Sequence, residues 1–208
     1  MTADSSSPAP VADGDAGIDW SFAGPRVACR LVDARDRDLY RALYTSPEVM
    51  AEIGPAMSVD QADATLARAC GHNVRPPATA LARYWLIART TTGASAGIVS
   101  MVRKPDDARC GMLGVMLLPE WQNRGVGLPG LAGVVAGVFS PRWPLGIDVL
   151  LGYHALSNPN SGRLTEGLGF ARMPDEGDQG VWRLERAEWP GCLERWPRSM
   201  RAYASTSA

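Results

Sequence analysis

The 208-residue sequence predicts one domain of the mixed α/β class, with a mostly antiparallel sheet and helices on both faces. Apolar residues recur at helical spacing in some segments and form short strand-like runs in others. Short polar turns join three consecutive strands in the middle of the chain, which is typical of an antiparallel meander. The order of elements is β-α-α-β-β-β-α-β-α-β, and this order places helices on both faces of the sheet.

Composition divides the chain into three parts. Residues 1–25 are rich in Ser, Pro, Ala, Asp and Gly, so they bury too little apolar surface to become ordered, and we predict a disordered tail. Trp20 and Phe22 could attach the end of this tail to the domain. The domain is predicted to span residues 26–187, and a C-terminal extension at 188–208 could add a short helix.

The first half of the domain opens with a strand at 27–32 and a helix at 35–46, which Pro47 ends. Ser58 and Gln61 have the spacing of a capping box and predict a helix that runs to Gly71. Residues 73–79 contain two prolines and predict a loop. The three strands of the meander are then predicted at 84–89, 96–103 and 111–118.

The second half alternates helices and strands. Apolar residues on one stripe predict a helix at 125–139, and a continuous apolar run predicts a buried strand at 147–153. A helix at 158–168 ends at Gly169, and a short strand follows at 181–184. Glycines at 130, 133 and 137 each cost stability inside a helix, which indicates that this helix packs closely against the sheet.

Charge and cysteine content exclude several classes of protein. The formal net charge is −1 and Lys104 is the only lysine, so no basic field for nucleic acid or an anionic membrane is expected. No apolar run is long enough to span a membrane, and Arg26 is the first basic residue, which argues against a signal peptide. The four cysteines form no CxxC pair and no zinc-ligand spacing. We therefore expect a cytoplasmic protein with reduced thiols and no metal.

The segment 117–127 is the most informative part of the sequence. It joins a strand to a helix through a turn rich in glycine, which lets the backbone approach a ligand closely. The first amides of a helix lack internal partners, and the helix dipole is positive there, so the segment predicts a phosphate site. Arg124 could add a charged contact. A plain turn before a glycine-rich helix is the structural alternative.

Residues 125–130 also satisfy the GxGxxG dinucleotide-binding pattern, with glycines at 125, 127 and 130. Three features argue against that interpretation. The pattern lies past the middle of the chain, and six residues separate it from the preceding strand, whereas the dinucleotide-binding turn is tight. Asp148, the acid about 20 residues further on, begins a strand instead of ending one.

Two motifs in order resemble those of the GNAT superfamily of acyltransferases. Residues 122–127 are similar to its Q/R-x-x-G-x-G/A motif, and residues 158–170 are similar to the N-x-x-S-x-x-x-x-E-x-x-G-F segment of its RimJ/RimL-like branch. Residues 31–50 resemble the opening of that branch, a strand followed by a helix that ends near "PEVM". The resemblance covers residues 27–185 and implies the GNAT fold, with acetyl-CoA or another acyl-CoA as co-substrate.

The resemblance also implies which residues bind acyl-CoA. The backbone of the strand before the loop would pair with pantetheine, and the loop amides would hold the pyrophosphate. A further polar side chain would orient the cofactor or a water. The residues assigned to the cofactor in this way are Val115, Leu117, Gln122, Asn123, Arg124, Gly125, Val126, Gly127 and Asn158.

Acyl transfer to an amine benefits from a general acid for the departing thiolate. Many family members place a tyrosine in the last helix, but the matching position here is Thr165. In the RimJ/RimL-like branch the serine of N-x-x-S has this role, which corresponds to Ser161. Helix capping is the alternative role for Ser161 and Asn158.

The general base is less clear from the sequence. Many relatives carry a glutamate two residues before a glycine in the fourth strand, and Met112 stands at that position here. His154 is the best titratable candidate near neutral pH, and Glu48 and Glu52 could approach from the first helices. The two altered positions leave open an alternative, a catalytically altered acyl-CoA-binding sensor or partner subunit.

The expected activity is N-acetyltransfer to a primary amine. The RimJ/RimL resemblance implies an acceptor on a peptide or protein N-terminus or on a small molecule, with a homodimer as one possible assembly. Nucleic acid and membranes are not expected as partners. Residues 54–57 and 73–79 are predicted to shape the acceptor site.

Overall fold

A computed structural model describes residues 17–205, which fold around one mixed sheet. Within this range the sheet has eight strands in the order β1-β2-β3-β4-β5-β6-β8-β7, and every neighbouring pair is antiparallel except β5 and β6. The strands are β1 Phe22–Ala23, β2 Val27–Leu31, β3 Ala82–Arg89, β4 Ser95–Lys104, β5 Asp107–Leu117, β6 Val149–Ala155, β7 Ala171–Arg172 and β8 Gln179–Glu185.

Helices cover both faces of this sheet, as the sequence predicts. The α-helices are α1 Arg37–Tyr44, α2 Pro47–Met50, α3 Val59–Asn73, α4 Gly127–Phe139, α5 Pro159–Leu168, α6 Trp189–Arg195 and α7 Arg198–Ser205. Short 3₁₀ turns precede α1 and α4, at Ala34–Asp36 and Pro119–Trp121. None of the helices in the described range is long and apolar enough to cross a membrane.

Each strand and helix predicted from the sequence is present, with boundaries that shift by a few residues. The capping box at Ser58 and Gln61 is confirmed, because each side chain bonds to the other residue's backbone. Gly169 ends α5 in the left-handed conformation, with φ of 93°. Pro47 ends the first helix as predicted but also begins α2, since a proline at the first helical position loses no hydrogen bond.

Two hydrophobic clusters lie on opposite faces of the sheet. The larger cluster joins α4, α5 and the C-terminal helices to residues such as Trp85 and Val99, while the smaller one joins α1–α3 to Leu86 and Ile98. Alternate residues of a strand point to opposite faces. Accordingly Val115 and Leu117 of β5 pack with the larger cluster, and Met116 packs with the smaller.

The residues just before β2 lie against the core, and Trp20 and Phe22 attach this end of the predicted tail to the domain, as the sequence suggests. Trp20 and Phe22 are buried, and the carbonyls of Asp19 and Trp20 accept hydrogen bonds from the indoles of Trp143 and Trp85. The predicted disorder of residues 1–16 lies outside the described residues. The large aromatic surface of Trp20 and Phe22 outweighs the polar composition around them.

The C-terminal residues are also part of the core. Trp189 and Trp196 are buried in edge-to-face contact with ring centroids 5.1 Å apart, and Tyr203 of α7 is 1% exposed. The residues predicted as a C-terminal extension therefore form two helices that contribute to the main hydrophobic cluster.

The glycines of α4 permit close packing. The sequence predicts this, because glycine lowers helix stability and needs a packing reason to occur there. A Cβ atom on Gly130 would lie 2.8 Å from Ile87, and one on Gly133 or Gly137 would overlap the ring of Phe22 or Trp143. These contacts bring Phe22 and Trp143 directly onto the backbone of α4.

We expect Gly137→Ala to lower the free energy of unfolding by about 1–3 kcal/mol, because the added methyl group overlaps Trp143. Gly71→Ala is the matched control in α3, where nothing lies within 4 Å of the added Cβ atom. It should stabilise the protein by about 0.5–1 kcal/mol. Urea unfolding of both variants measures the difference, and equal effects would show that the α4 packing is looser than described.

Candidate active site

The strands β5 and β6 separate near the centre of the sheet and leave part of β5 unpaired. They pair from Cys110 with Val149 to Leu113 with Gly152, and no further. Beyond this point β5 remains paired with β4 as far as Leu117, and β6 remains paired with β8 as far as Ala155. The gap between them is therefore open on the β5 side from residue 114 onward.

The direction of the backbone groups along β5 is fixed by two hydrogen bonds. The Leu118 amide donates to Ala96 on the β4 side, whereas the Arg109 carbonyl accepts from Asp148 on the β6 side. Because backbone groups of alternate residues point to opposite edges of a strand, those of Val115 and Leu117 point into the gap. These are the two residues whose backbone the family resemblance assigns to pantetheine.

The glycine-rich turn lies beside the open end of this gap. Asn123 and Gly125 have positive φ angles of 56° and 68°, so the backbone of the turn is curled back on itself. Gln122 supports the turn, because its side-chain amide donates to the Leu117 carbonyl at 3.3 Å. A Cβ atom on Gly127 would lie 3.2 Å from Leu117 and 3.6 Å from Leu164, so this glycine joins the turn to both walls of the gap.

The amides of the turn and of the start of α4 are free to bind an anion. The Gly130 amide makes the first backbone bond of the helix, to Val126, and the amides of residues 124–128 donate to no acceptor within the described chain. Unpaired amides and the positive helix end favour phosphate. The geometry thus fits a pyrophosphate held by the backbone of residues 124–128, with the exposed Arg124 side chain beside it.

The start of α5 forms another part of the site. Asn158 caps the helix, since its side-chain oxygen accepts the Ser161 amide hydrogen at 3.2 Å. The Ser161 hydroxyl is half-buried and has no hydrogen-bond partner within the described residues. The structure therefore gives Asn158 the capping role and leaves the hydroxyl of Ser161 available.

Thr165 cannot replace the tyrosine of related enzymes. Its hydroxyl donates to backbone carbonyls of its own helix, at 3.2 Å to Ser161 and 2.9 Å to Gly162. Its methyl group faces Gly152, where an added Cβ atom would lie 3.0 Å away. The side chain thus packs α5 onto β6 and points no free group into the gap.

His154 lies near the first turn of α5, but both of its ring nitrogens have partners. The Trp182 indole donates to Nε2 at 2.7 Å, and Nδ1 lies 2.9 Å from the Ala155 carbonyl. A Cβ atom on Gly162 would lie 3.3 Å from Nε2, so the ring packs against the first turn of α5. For His154 to accept a proton at Nε2, the bond from Trp182 would have to break.

Met112 faces the same side of the sheet as its register partners Leu151 and Arg183. Leu151 and Arg183 line a cavity of about 390 Å³, which also contains Tyr153 and Glu176. The pKa of the Tyr153 hydroxyl is raised, first by burial and then by the nearby Glu176 carboxylate. This face therefore holds a carboxylate from the β7–β8 loop, although β5 supplies none at Met112.

A contact that the sequence did not reveal joins the first helices to the loop before α5. The Ser157 hydroxyl donates to a carboxylate oxygen of Glu52 at 2.7 Å. Glu52 follows α2, whose Val49 belongs to the same smaller cluster as Met116, so this contact joins the α1–α3 side of the sheet to the loop after β6. Glu52 is one of the two acidic candidates predicted from the sequence, with Glu48, and no local pattern marks its contact with Ser157.

The cysteines and acidic residues do not suggest other chemistry. Burial raises the pKa of the Cys29 thiol, and Cys110 and Cys192 are also buried, so these thiols are poor nucleophiles. Among residues 17–205, no group of three or more His, Cys, Asp or Glu side chains could hold a metal ion.

Comparison with known families gives one clear match. Residues 26–171 match the model of the acetyltransferase (GNAT) domain, which is more than half of the chain. No curated protein sequence matches significantly. The family match agrees with the rejection of the GxGxxG interpretation. Among the described residues Gly130 packs on Ile87, and only β5 and β6 of the sheet are parallel.

Solved structures share the fold at low sequence identity. A nucleotide-linked sugar GNAT, FdhC in its apo form, is 12% identical with a TM-score of 0.71, covering 88% of this chain and 99% of its own. Spermidine N-acetyltransferase from Vibrio cholerae, in complex with CoA and spermine, is 16% identical with a TM-score of 0.62, covering 79% and 98%. Ribosomal-protein-S5-alanine acetyltransferase from Vibrio fischeri is 17% identical with a TM-score of 0.64, covering 82% and 99%.

Proposed function

Because the chain belongs to the acetyltransferase (GNAT) domain family and is an N-acetyltransferase that uses acyl-CoA, we propose that it acylates a primary amine through the gap between β5 and β6. The proposal rests on the convergence of three free groups at one gap. These groups are the unpaired backbone of β5, the free amides of the glycine turn and the free Ser161 hydroxyl. The acceptor belongs to a small molecule or to the N-terminus of a peptide or protein.

The residues assigned to acyl-CoA each bind a different part of that ligand. The backbone groups of Val115 and the amide of Leu117 pair with pantetheine, since the Leu117 carbonyl already accepts from Gln122. The amides of residues 124–128 take the pyrophosphate. Gln122 and Asn123 shape the turn, and Arg124 adds a positive charge. Asn158 holds the start of α5 in place, which fixes the position of Ser161.

The reaction forms a bond between the amine nitrogen and the thioester carbonyl carbon and breaks the bond between carbon and sulfur. A neutral amine loses one proton and the sulfur gains one, whereas an acceptor bound as an ammonium group must lose a further proton before it attacks. We propose Ser161 as the donor of the proton to sulfur, since its hydroxyl is free and the Thr165 hydroxyl is not. Most of the acceleration is expected from holding the two substrates together.

On the acceptor side, we propose that Glu52 takes up the amine proton. Its carboxylate is exposed at the gap, and its bond from Ser157 ties it to the loop that leads to Asn158 and Ser161. His154 was the base expected from the sequence, but its bond from Trp182 favours a positioning role at the start of α5.

The Glu52 carboxylate favours a cationic amine as the acceptor, because a carboxylate attracts an ammonium group. Glu176 adds no net charge to this preference, since Lys104 and Arg183 line the same pocket. The fold neighbours include enzymes for spermidine and for a ribosomal protein, so both small and peptide amines belong in the first panel. Activity on the peptide would support a RimJ/RimL-like assignment.

We expect acetyl-CoA at about 100 times its Kd to add about 2.7 kcal/mol to the free energy of unfolding. This corresponds to a rise in Tm of about 5–10 °C for a chain of this size. NAD is the matched control and should leave Tm unchanged. No rise with acetyl-CoA or with longer acyl-CoAs would contradict the cofactor assignment.

Replacing Ser161 with Ala should lower kcat by about 10²–10⁴-fold, because the departing sulfur loses its proton donor. The affinity for acetyl-CoA should change little, and Thr165→Val serves as the control variant on the same helix. Steady-state kinetics with the best amine of the panel and calorimetry with acetyl-CoA measure the two quantities. A near-normal kcat of the variant would mean that Ser161 has a structural role only. If the wild-type protein binds acetyl-CoA but acylates no amine of the panel, the result would favour an acyl-CoA sensor.

The base assignment predicts different pH–rate profiles for two variants. Glu52→Gln should lower kcat/KM and remove the decrease in rate toward low pH, because the group that must lose its proton is gone. His154→Gln should keep that decrease while lowering the rate at all pH values. Loss of the decrease in the His154 variant alone would assign the base to His154 instead. Ser157→Ala should show a smaller effect in the same direction as Glu52→Gln.

A further inference from the structure

Arg26 lies at the end of the sheet where the glycine turn is found. It directly precedes β2, whose Val27 pairs with Arg89 at the end of β3. The neighbouring strands β4 and β5 pair Gly97 with Leu117 at this same end. The Arg26 side chain reaches the turn itself, because a Cβ atom on Gly125 would lie 3.2 Å from its Nη1 atom.

The guanidinium group of Arg26 makes no ion pair with the described part of the protein. Its side chain is exposed, and no described residue forms an ion pair or a side-chain hydrogen bond with it. Other arginines nearby in sequence differ, since Arg30 and Arg35 bind Asp33 or Asp36 and Arg41 binds Asp63. Arg26 is thus available for an anion from outside.

The backbone of Arg26 is held on both sides. Its amide donates to the Tyr203 hydroxyl at 2.8 Å, and its carbonyl accepts from the Thr90 amide at 3.0 Å. Tyr203 belongs to α7 and is 1% exposed, and its ring lies so close to Gly24 that a Cβ atom there would overlap it. The C-terminal helix therefore fixes where the Arg26 side chain begins.

We propose that Arg26 binds a phosphate group of acyl-CoA beside the glycine turn, and that Tyr203 of α7 is the positioning residue that holds Arg26 there. The inference rests on the proposed function, because the phosphate ligand is that of the co-substrate. A guanidinium group forms charge-assisted hydrogen bonds with phosphate oxygens, and the free amides of the turn bind the same kind of ligand. The two termini of the described chain thereby contribute to the cofactor site.

Either of two phosphates in CoA could be the partner. The pyrophosphate is bound by the turn, and the 3′-phosphate belongs to the ribose of the same molecule. Dephospho-CoA lacks only the 3′-phosphate, so it separates the two. A loss of affinity for both ligands on changing Arg26 would assign the pyrophosphate, and a loss for CoA alone would assign the 3′-phosphate.

The test is calorimetry of CoA and dephospho-CoA with the full chain and with Arg26→Gln. We expect the Kd for CoA to rise about 10-fold at low salt, with a smaller rise at high salt because exposed charges are screened. Arg68→Gln is the matched control, since Arg68 is exposed on α3 at the opposite face of the sheet. It should leave both affinities unchanged.

Tyr203→Phe tests the positioning role, because it removes only the hydroxyl that accepts the Arg26 amide hydrogen. We expect a Kd for CoA between those of the wild type and Arg26→Gln, and Tyr203→Phe should add little to the Kd of a chain that already carries Arg26→Gln. A fall in Tm without any change in Kd would overturn the role of Tyr203. Normal CoA binding by Arg26→Gln would overturn the phosphate contact, whereas failure of the wild type to bind CoA would overturn the proposed function itself.

Discussion

The site depends on the separation of two strands that each keep another partner. β5 remains bonded to β4 as far as Leu117 and β6 to β8 as far as Ala155, so neither strand can follow the other past Leu113 and Gly152. Unpaired backbone groups inside a sheet are costly unless they find a partner. A ligand with its own amide groups would satisfy this requirement, which is the physical basis for proposing that pantetheine binds in the gap.

The phosphate end of the site depends on how closely α4 approaches the sheet. Glycines along the helix remove the side chains that would hold it away, and Phe22 and Trp143 occupy the space that results. Residues before β2 and after β8 complete this layer, since Trp20, Trp189 and Tyr203 are buried in the same cluster. The parts of the chain that resemble a tail and an extension are therefore structural supports of the glycine turn.

Hydrogen bonding separates the candidate catalytic side chains from the structural ones. Thr165 and His154 have their polar groups engaged by backbone or indole partners, whereas the Ser161 hydroxyl has none among the described residues. The acceptor side is arranged differently from the pattern in many family members. Glu52, in the segment after α2, is the carboxylate proposed in place of a glutamate at Met112, and it contacts Ser157 of the loop before α5.

The sequence by itself determined the order of the elements, the glycine turn and the start of α5, because each depends on local spacing and capping. Val115 and Leu117 could be assigned to the cofactor through the family motif, since the motif fixes their distance from the turn. Only the tertiary structure decided that Glu52 meets Ser157 and that Arg26 meets Gly125, as these pairs are about 100 residues apart. It also decided the burial of Trp20 and Tyr203, because such contacts depend on the packing of distant segments, which has no local period in the sequence.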